Sequence, residues 1–124
     1  MEPAYHSFQM VVLDKHFNEI TYGDVIAFRC ESLDAVLVKR VIALPGDTVE
    51  MKEGTVYVNQ QPADWISDNG TVTYPGIASE PWVLAQNQYF VLGDNYEVSK
   101  DSRYPEVGGV SEDTILGVVV PQKP

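Results

Sequence analysis

Short apolar runs separated by turn residues constrain this chain more than any other feature. Val25-Ile-Ala-Phe28, Val36-Leu-Val at Val36–Val38, Val41-Ile-Ala-Leu44, Tyr89-Phe-Val-Leu92 and Thr114-Ile-Leu-Gly-Val-Val-Val120 are each strand-length, and none extends into a helical 3.6-residue period. Between them stand Gly23-Asp24, Glu31 to Asp34, Leu44-Pro-Gly-Asp47 and Glu53-Gly54, all turn chemistry. Val25–Phe28 is apolar throughout, so it reads as a strand buried on both faces. With the lysine-bearing strand after it, it makes a hairpin, and Thr48–Met51 with Thr55–Asn59 makes a second around Glu53-Gly54. Gln9–Leu13 reads as a further short strand. The stretch from Gln60 to Asn87 carries Pro62, Pro75, Pro81 and both tryptophans. It reads as loop-rich, with one short strand at Thr71–Tyr74. The expected fold class is mainly β, an antiparallel sandwich or barrel-like core.

Two stretches carry chemistry. In Val36-Leu-Val-Lys-Arg-Val-Ile-Ala-Leu44, Lys39 and Arg40 are adjacent in an apolar strand, so they point to opposite faces and one must point at whatever the strand packs on. A lysine placed there must be paired or neutral, and burial lowers its pKa enough to make it a general base. The alternative is an edge strand with both cations in water. The second stretch follows the Tyr89–Leu92 strand. Gly93, Asp94, Asn95, Ser99, Asp101, Ser102 and Arg103 form either an ordinary polar turn or a rigid scaffold beside an active site.

Several functions are excluded by what is missing. The formal net charge is -10, which argues against nucleic acid and against a polybasic membrane patch. One cysteine, Cys30, leaves no intramolecular disulfide and no multi-cysteine zinc site, and reads as a small buried hydrophobe. His6 and His16 read as surface residues without a nucleophile elbow. No metal-ligand spacing, calcium loop or phosphate cradle is found, so no metal or cofactor is expected. No stretch approaches the roughly 18 apolar residues that span a membrane.

Three blocks in series, Gly23-Asp-Val-Ile-Ala-Phe28, Leu37-Val-Lys-Arg-Val-Ile-Ala-Leu-Pro-Gly-Asp47, and Phe90-Val-Leu-Gly-Asp-Asn95 with Ser99-Lys-Asp-Ser-Arg103, resemble the type I signal peptidases. These are Ser-Lys dyad serine proteases that remove signal peptides from exported preproteins. The resemblance implies a catalytic antiparallel β core from residues 1–47 and 89–124, with a small inserted cap region at 48–88. It implies Lys39 as general base, in apolar surroundings from Phe28, Val36, Val38 and Val41. It implies Ser99 as the residue that orients the lysine, and Asp101, Ser102 and Arg103 as its supporting network, braced by an Asp101–Arg103 pair. Gly93, Asp94 and Asn95 fix the turn. The family's nucleophilic serine precedes a Met-x-Pro motif, which matches Met1-Glu-Pro3 and places that serine one residue before Met1, with the membrane anchor further upstream. The chain is then expected to be an inactive soluble piece of a membrane-bound enzyme, and Ser7 an ordinary loop serine. Met1, Pro3, Met10, Val12, Val36 and Val38 are expected to line the groove for a signal peptide ending in an Ala-x-Ala pattern. The implied place of work is the extracytoplasmic face of a bacterial cell membrane. After Pro3 the chain has Ala4-Tyr5, where the family has Thr-Leu. A different role is implied by relatives that lack a dyad residue and act as non-catalytic factors in surface-fibre (pilus) assembly. A more distant resemblance is to self-cleaving repressor-type Ser-Lys proteins.

Overall fold

The computed structural model describes residues 13–14, 19–63, 74–94 and 100–120. The strands are β1 (Leu13–Asp14), β2 (Val25–Cys30), β3 (Ala35–Ala43), β4 (Thr48–Lys52), β5 (Thr55–Val58), β6 (Gln61–Pro62), β7 (Trp82–Val83), β8 (Gln88–Leu92), β9 (Val110–Ser111) and β10 (Ile115–Val119). Two short 3-10 turns, Gly76–Ser79 and Glu112–Thr114, complete the elements. The strands form a six-stranded sheet in the order β1-β10-β2-β3-β8-β9 and a four-stranded sheet in the order β6-β5-β4-β7. Every pairing is antiparallel. The expected mainly β fold is what the chain adopts.

Turn chemistry sets the local path. The Asp47 amide donates to the Leu44 carbonyl at 3.0 Å across Pro45-Gly46, and Gly46 takes φ +86°. That is the type II turn its Pro-Gly pair favours, since the third residue must lie at positive φ. The Glu53-Gly54 turn holds both residues at positive φ, which the twist of a tight hairpin requires. The β2–β3 hairpin runs in unbroken register from Val25 opposite Arg40 to Cys30 opposite Ala35.

Alternation along β3 and β8 divides the apolar side chains between two cores. Ile42, Ala43, Phe90 and Leu92 pack with Val49, Met51, Val56, Val58 and Leu84, joining the large sheet to the small one. Trp82 meets Phe90 edge-to-face, with centroids 5.6 Å apart. On the other face, Val41, Tyr89 and Val91 pack with Ile20, Ile26, Phe28, Cys30 and Val110. Cys30 is free and buried, as a small hydrophobe would be. β3 pairs with β8 only through its second half: Arg40 opposite Leu92, Val41 opposite Val91, then a bulge to Ala43 opposite Phe90. Among the described residues, no strand lies against Ala35–Val38 on that side.

Between β5 and β8, where the sequence reads as loop, the chain also forms β6, the Gly76–Ser79 turn and β7. Each is four residues or fewer, too short to leave a periodic signal. Most of the expected Gln9–Leu13 strand, and Thr71–Thr73 of the expected Thr71–Tyr74 strand, fall outside the described residues.

Candidate active site

The polar loop after β8 is held by its own side chains. Ser102 acts as a one-residue extension of the sheet: its amide donates to the Val91 carbonyl at 3.1 Å, and its Oγ accepts the Val91 amide at 2.9 Å. Asp101 uses both oxygens. Oδ1 accepts the Arg103 Nε at 2.8 Å and the Arg103 amide at 3.2 Å. Oδ2 accepts the Arg103 Nη2 at 3.0 Å and the Gly93 amide at 3.1 Å. Asp101, Ser102 and Arg103 are all at 0% exposure. A buried ion pair survives only when its remaining donors and acceptors are filled. Here the fifth contact, from Arg103 Nη1 to the Tyr74 carbonyl at 3.2 Å, supplies part of that.

Lys39 lies opposite Ile26 in the β2–β3 ladder, partly buried. Burial pushes its ammonium below the ordinary lysine pKa. Asp101 draws it back up, Arg103 pushes it down again, and Asp94 draws it up. The lysine is therefore within electrostatic reach of the loop pair, although β3 and the loop are some 60 residues apart in sequence. The surroundings differ from the expectation in one respect. Val41 and Phe28 belong to the core on the lysine's side of the sheet, but alternation sends Val36 and Val38 to the opposite face, and Val36 is 51% exposed. Ile26 and Leu37 take their place.

Arg40, on the other face, has a partner that sequence reasoning missed. Its Nε and Nη2 meet the two oxygens of Asp94 at 3.0 Å each, and its Nη1 donates to the Gly23 carbonyl at 3.0 Å. Asp94 is buried. This bidentate clamp fastens the end of β8 to the middle of β3. The available signal was alternation: if Lys39 faces a core, Arg40 needs a carboxylate of its own on the far side.

The structure thus brings Lys39, Gly93, Asp94, Asp101, Ser102 and Arg103 together around the β3–β8 junction. Met1, Pro3, Met10, Val12, Asn95 and Ser99 lie outside the described residues, as do Ser7, His6 and His16. Among the described residues no cluster of His, Cys, Asp or Glu could hold a metal ion, and no helix is long and apolar enough to cross a membrane. A cavity of about 200 Å³ beside the β2–β3 turn, lined by Cys30, Glu31, Glu106, Ser111 and Thr114 among others, sits at the far end of the hairpin from the lysine.

Comparison with known proteins shows the family and the fold. The family described as "Signal peptidase, peptidase S26" matches residues 1–121. Signal peptidase IB of Staphylococcus aureus is 38% identical over 112 residues, covering 78% of this chain and 57% of the relative. Signal peptidase I T of Bacillus subtilis is 33% identical over 128 residues, covering 94% of this chain and 65% of the relative. The chain therefore spans somewhat more than half the length of these relatives. The crystal structure of a signal peptidase I from Enterococcus faecalis is similar in fold, with a TM-score of 0.67 and 30% identity, covering 83% of this chain and 98% of that one.

Proposed function

The chain belongs to the signal peptidase family, peptidase S26, and from that membership we propose that the full-length protein is a serine endopeptidase that removes signal peptides from exported preproteins, with Lys39 as its general base. The observation that carries this reading is a lysine whose pKa is lowered by burial, set against a fully buried Asp101–Arg103 pair. A serine hydroxyl is a weak nucleophile until a base takes its proton. Neutral Lys39 accepts that proton as Oγ bonds to the scissile carbonyl carbon. The resulting ammonium returns it to the departing amine, and water then releases the acyl-enzyme, with Lys39 again acting as base. Asp101, Ser102 and Arg103 fix the loop near the lysine, and Ser99 is the position to which the family resemblance assigns the orienting of its amine.

The half-open β3 supports a substrate mode. An extended peptide can pair along Ala35–Val38 and be held through its main chain. Val36 and Val38, on the face opposite Lys39, offer shallow apolar contacts to the small side chains of an Ala-x-Ala site. The enzyme would act at the extracytoplasmic face of a bacterial cell membrane. The relatives named above are peptidases by name, which favours the enzyme over a non-catalytic assembly factor.

The test is cleavage of an Ala-x-Ala signal peptide by the full-length protein. Lys39→Ala should lower kcat/KM by about 10²–10⁴-fold, the usual contribution of a positioned base. In the wild type, kcat/KM should rise with pH along a limb that lies below the ordinary lysine pKa, because only neutral Lys39 accepts the proton. Undiminished cleavage by Lys39→Ala would end this reading.

A further inference from the structure

The segment that forms the short 3-10 turn ahead of β7 meets the candidate loop at Arg103. The Ile77 amide donates to the Arg103 carbonyl at 3.0 Å. Arg103 Nη1 donates to the Tyr74 carbonyl at 3.2 Å. The Tyr74 and Tyr104 rings stack beside these bonds, with centroids 5.0 Å apart. Gly76 sits between them at φ +58°, where a Cβ would lie 2.1 Å from the Arg103 carbonyl oxygen and 2.9 Å from its carbon. Both are backbone atoms and neither can swing aside. Two residues on, Ala78 is fully buried in the core shared by the two sheets. A continuous path of packed atoms therefore runs from the small sheet through Gly76 to Arg103.

On the reading that Lys39 is the base, we propose that residues 74–79 are a positioning clamp: they grip Arg103 so that its guanidinium stays on Asp101 and the pair presents a balanced charge to Lys39. Among the described residues, the charged groups that act on Lys39 are Asp101 and Arg103 from the loop and Asp94 from the end of β8. The lysine's own strand and β2 face it with Leu37, Val41 and Ile26, which carry no charge. Beyond Arg103 stand Tyr104, Lys100 and Glu106; the Lys100 amine lies over the Tyr104 ring at 4.2 Å and meets Glu106 at 3.3 Å. Asp101 and Arg103 bias the lysine in opposite directions. If the clamp slips and the guanidinium leaves the carboxylate, the carboxylate's pull on the lysine proton is no longer offset. Lys39 then keeps its proton to higher pH, and less free amine is present near neutrality. Gly76 is thus a positioning residue: it touches no substrate and acts on the base through Arg103.

The test reads the lysine directly. The five lysines of the 124-residue chain are labelled with 13C at Cε and titrated by NMR, with Lys39→Ala assigning the signal. In the wild type Lys39 should titrate below the other four. Gly76→Ala should move that midpoint up, and Tyr74→Leu, which removes the ring stack without adding an atom beside Arg103, should move it less in the same direction. Gly46→Ala is the control. It also places a side chain at positive φ, +86°, but its Cβ would meet nothing closer than the Gln86 Nε2 at 3.7 Å, so it should lose stability and leave the midpoint in place. Should Gly76→Ala fail to fold, Tyr74→Leu decides. A wild-type midpoint below the other lysines that neither variant moves, or that Gly46→Ala moves as far, would overturn the clamp while leaving the base assignment intact. A wild-type Lys39 that titrates with the other lysines would remove the base assignment, and the clamp with it.

Discussion

Arg103 and Asp101 sit in each other's grip at zero exposure, and the two are not equivalent to remove. Arg103→Met leaves a carboxylate buried without its counter-charge, which typically costs about 3–5 kcal/mol. Asp101→Leu leaves the guanidinium without its carboxylate and also strips the Gly93 and Arg103 amides of their acceptor. The double variant has no orphaned charge, yet it keeps those two unmet amides, each costing about 1–3 kcal/mol. Urea denaturation should therefore show the double variant destabilised by about as much as one single variant, far less than the sum of both. Additive losses would show that the pair acts as two independent anchors. At this scale the sequence was partly legible. Lys39 could be found because a cation inside an apolar run needs a physical reason, and the Asp101–Arg103 pair, two residues apart in the chain, came from the family resemblance. The Arg40–Asp94 clamp joins residues 54 positions apart, and only the β3–β8 pairing makes them neighbours.

Elements here are joined by carboxylates as much as by apolar contact. Asp47, at the end of its turn, accepts from the Leu44 amide at 2.9 Å, the Tyr22 hydroxyl at 2.6 Å and the Asn59 Nδ2 at 3.0 Å. One side chain thereby ties the loop before β2, the turn after β3 and the turn after β5. The Tyr22 hydroxyl must stay protonated to donate. Burial, then the bond to Asp47, raises its pKa from the ordinary 10.0 to about 12. Because the folded value exceeds the unfolded one, the bond's contribution is whole below about pH 10 and is lost as pH climbs through about 12. Tyr22→Phe should cost about 1 kcal/mol at neutral pH and delete a late step from the alkaline tyrosine absorbance titration. An unchanged titration would mean another ring accounts for it. The Leu44–Asp47 turn was readable because Pro and Gly stand where a type II turn needs them. The turn at Gly76–Ser79 was not, because its glycine answers to the Arg103 carbonyl, a constraint set by tertiary approach and invisible to local pattern.

Across the whole molecule, β3 and β8 each serve two cores. Ile42 and Phe90 face the small sheet while Val41 and Val91, their neighbours in the chain, face the other side. Neither core can be lost without pulling on strands the other requires, so the two sheets should unfold together. In a Trp65→Phe background, fluorescence from Trp82, on the small sheet, and far-UV circular dichroism should trace one coincident transition. Phe90→Ala should lower the midpoint of both probes alike, by about 3–5 kcal/mol in stability. Separate transitions would mean that the small sheet folds on its own. Fold class was legible from turn spacing alone. The sharing of strands between cores was not, because a fully apolar strand hides which neighbour each face will meet.

The β3–β8 ladder stops at Arg40 opposite Leu92, and Ala35–Val38 continue past it with no strand on that side among the described residues. If a preprotein docks there, what it supplies is the repeating amide pattern common to every polypeptide, while side-chain demands shrink to a few small positions. Such an enzyme tolerates wide variation in the sequences it processes and discriminates instead by whether a segment can be drawn out straight. Access to the site becomes a question of unfolding: a stretch already coiled or packed into a folded domain would be passed over, however well its sequence fits.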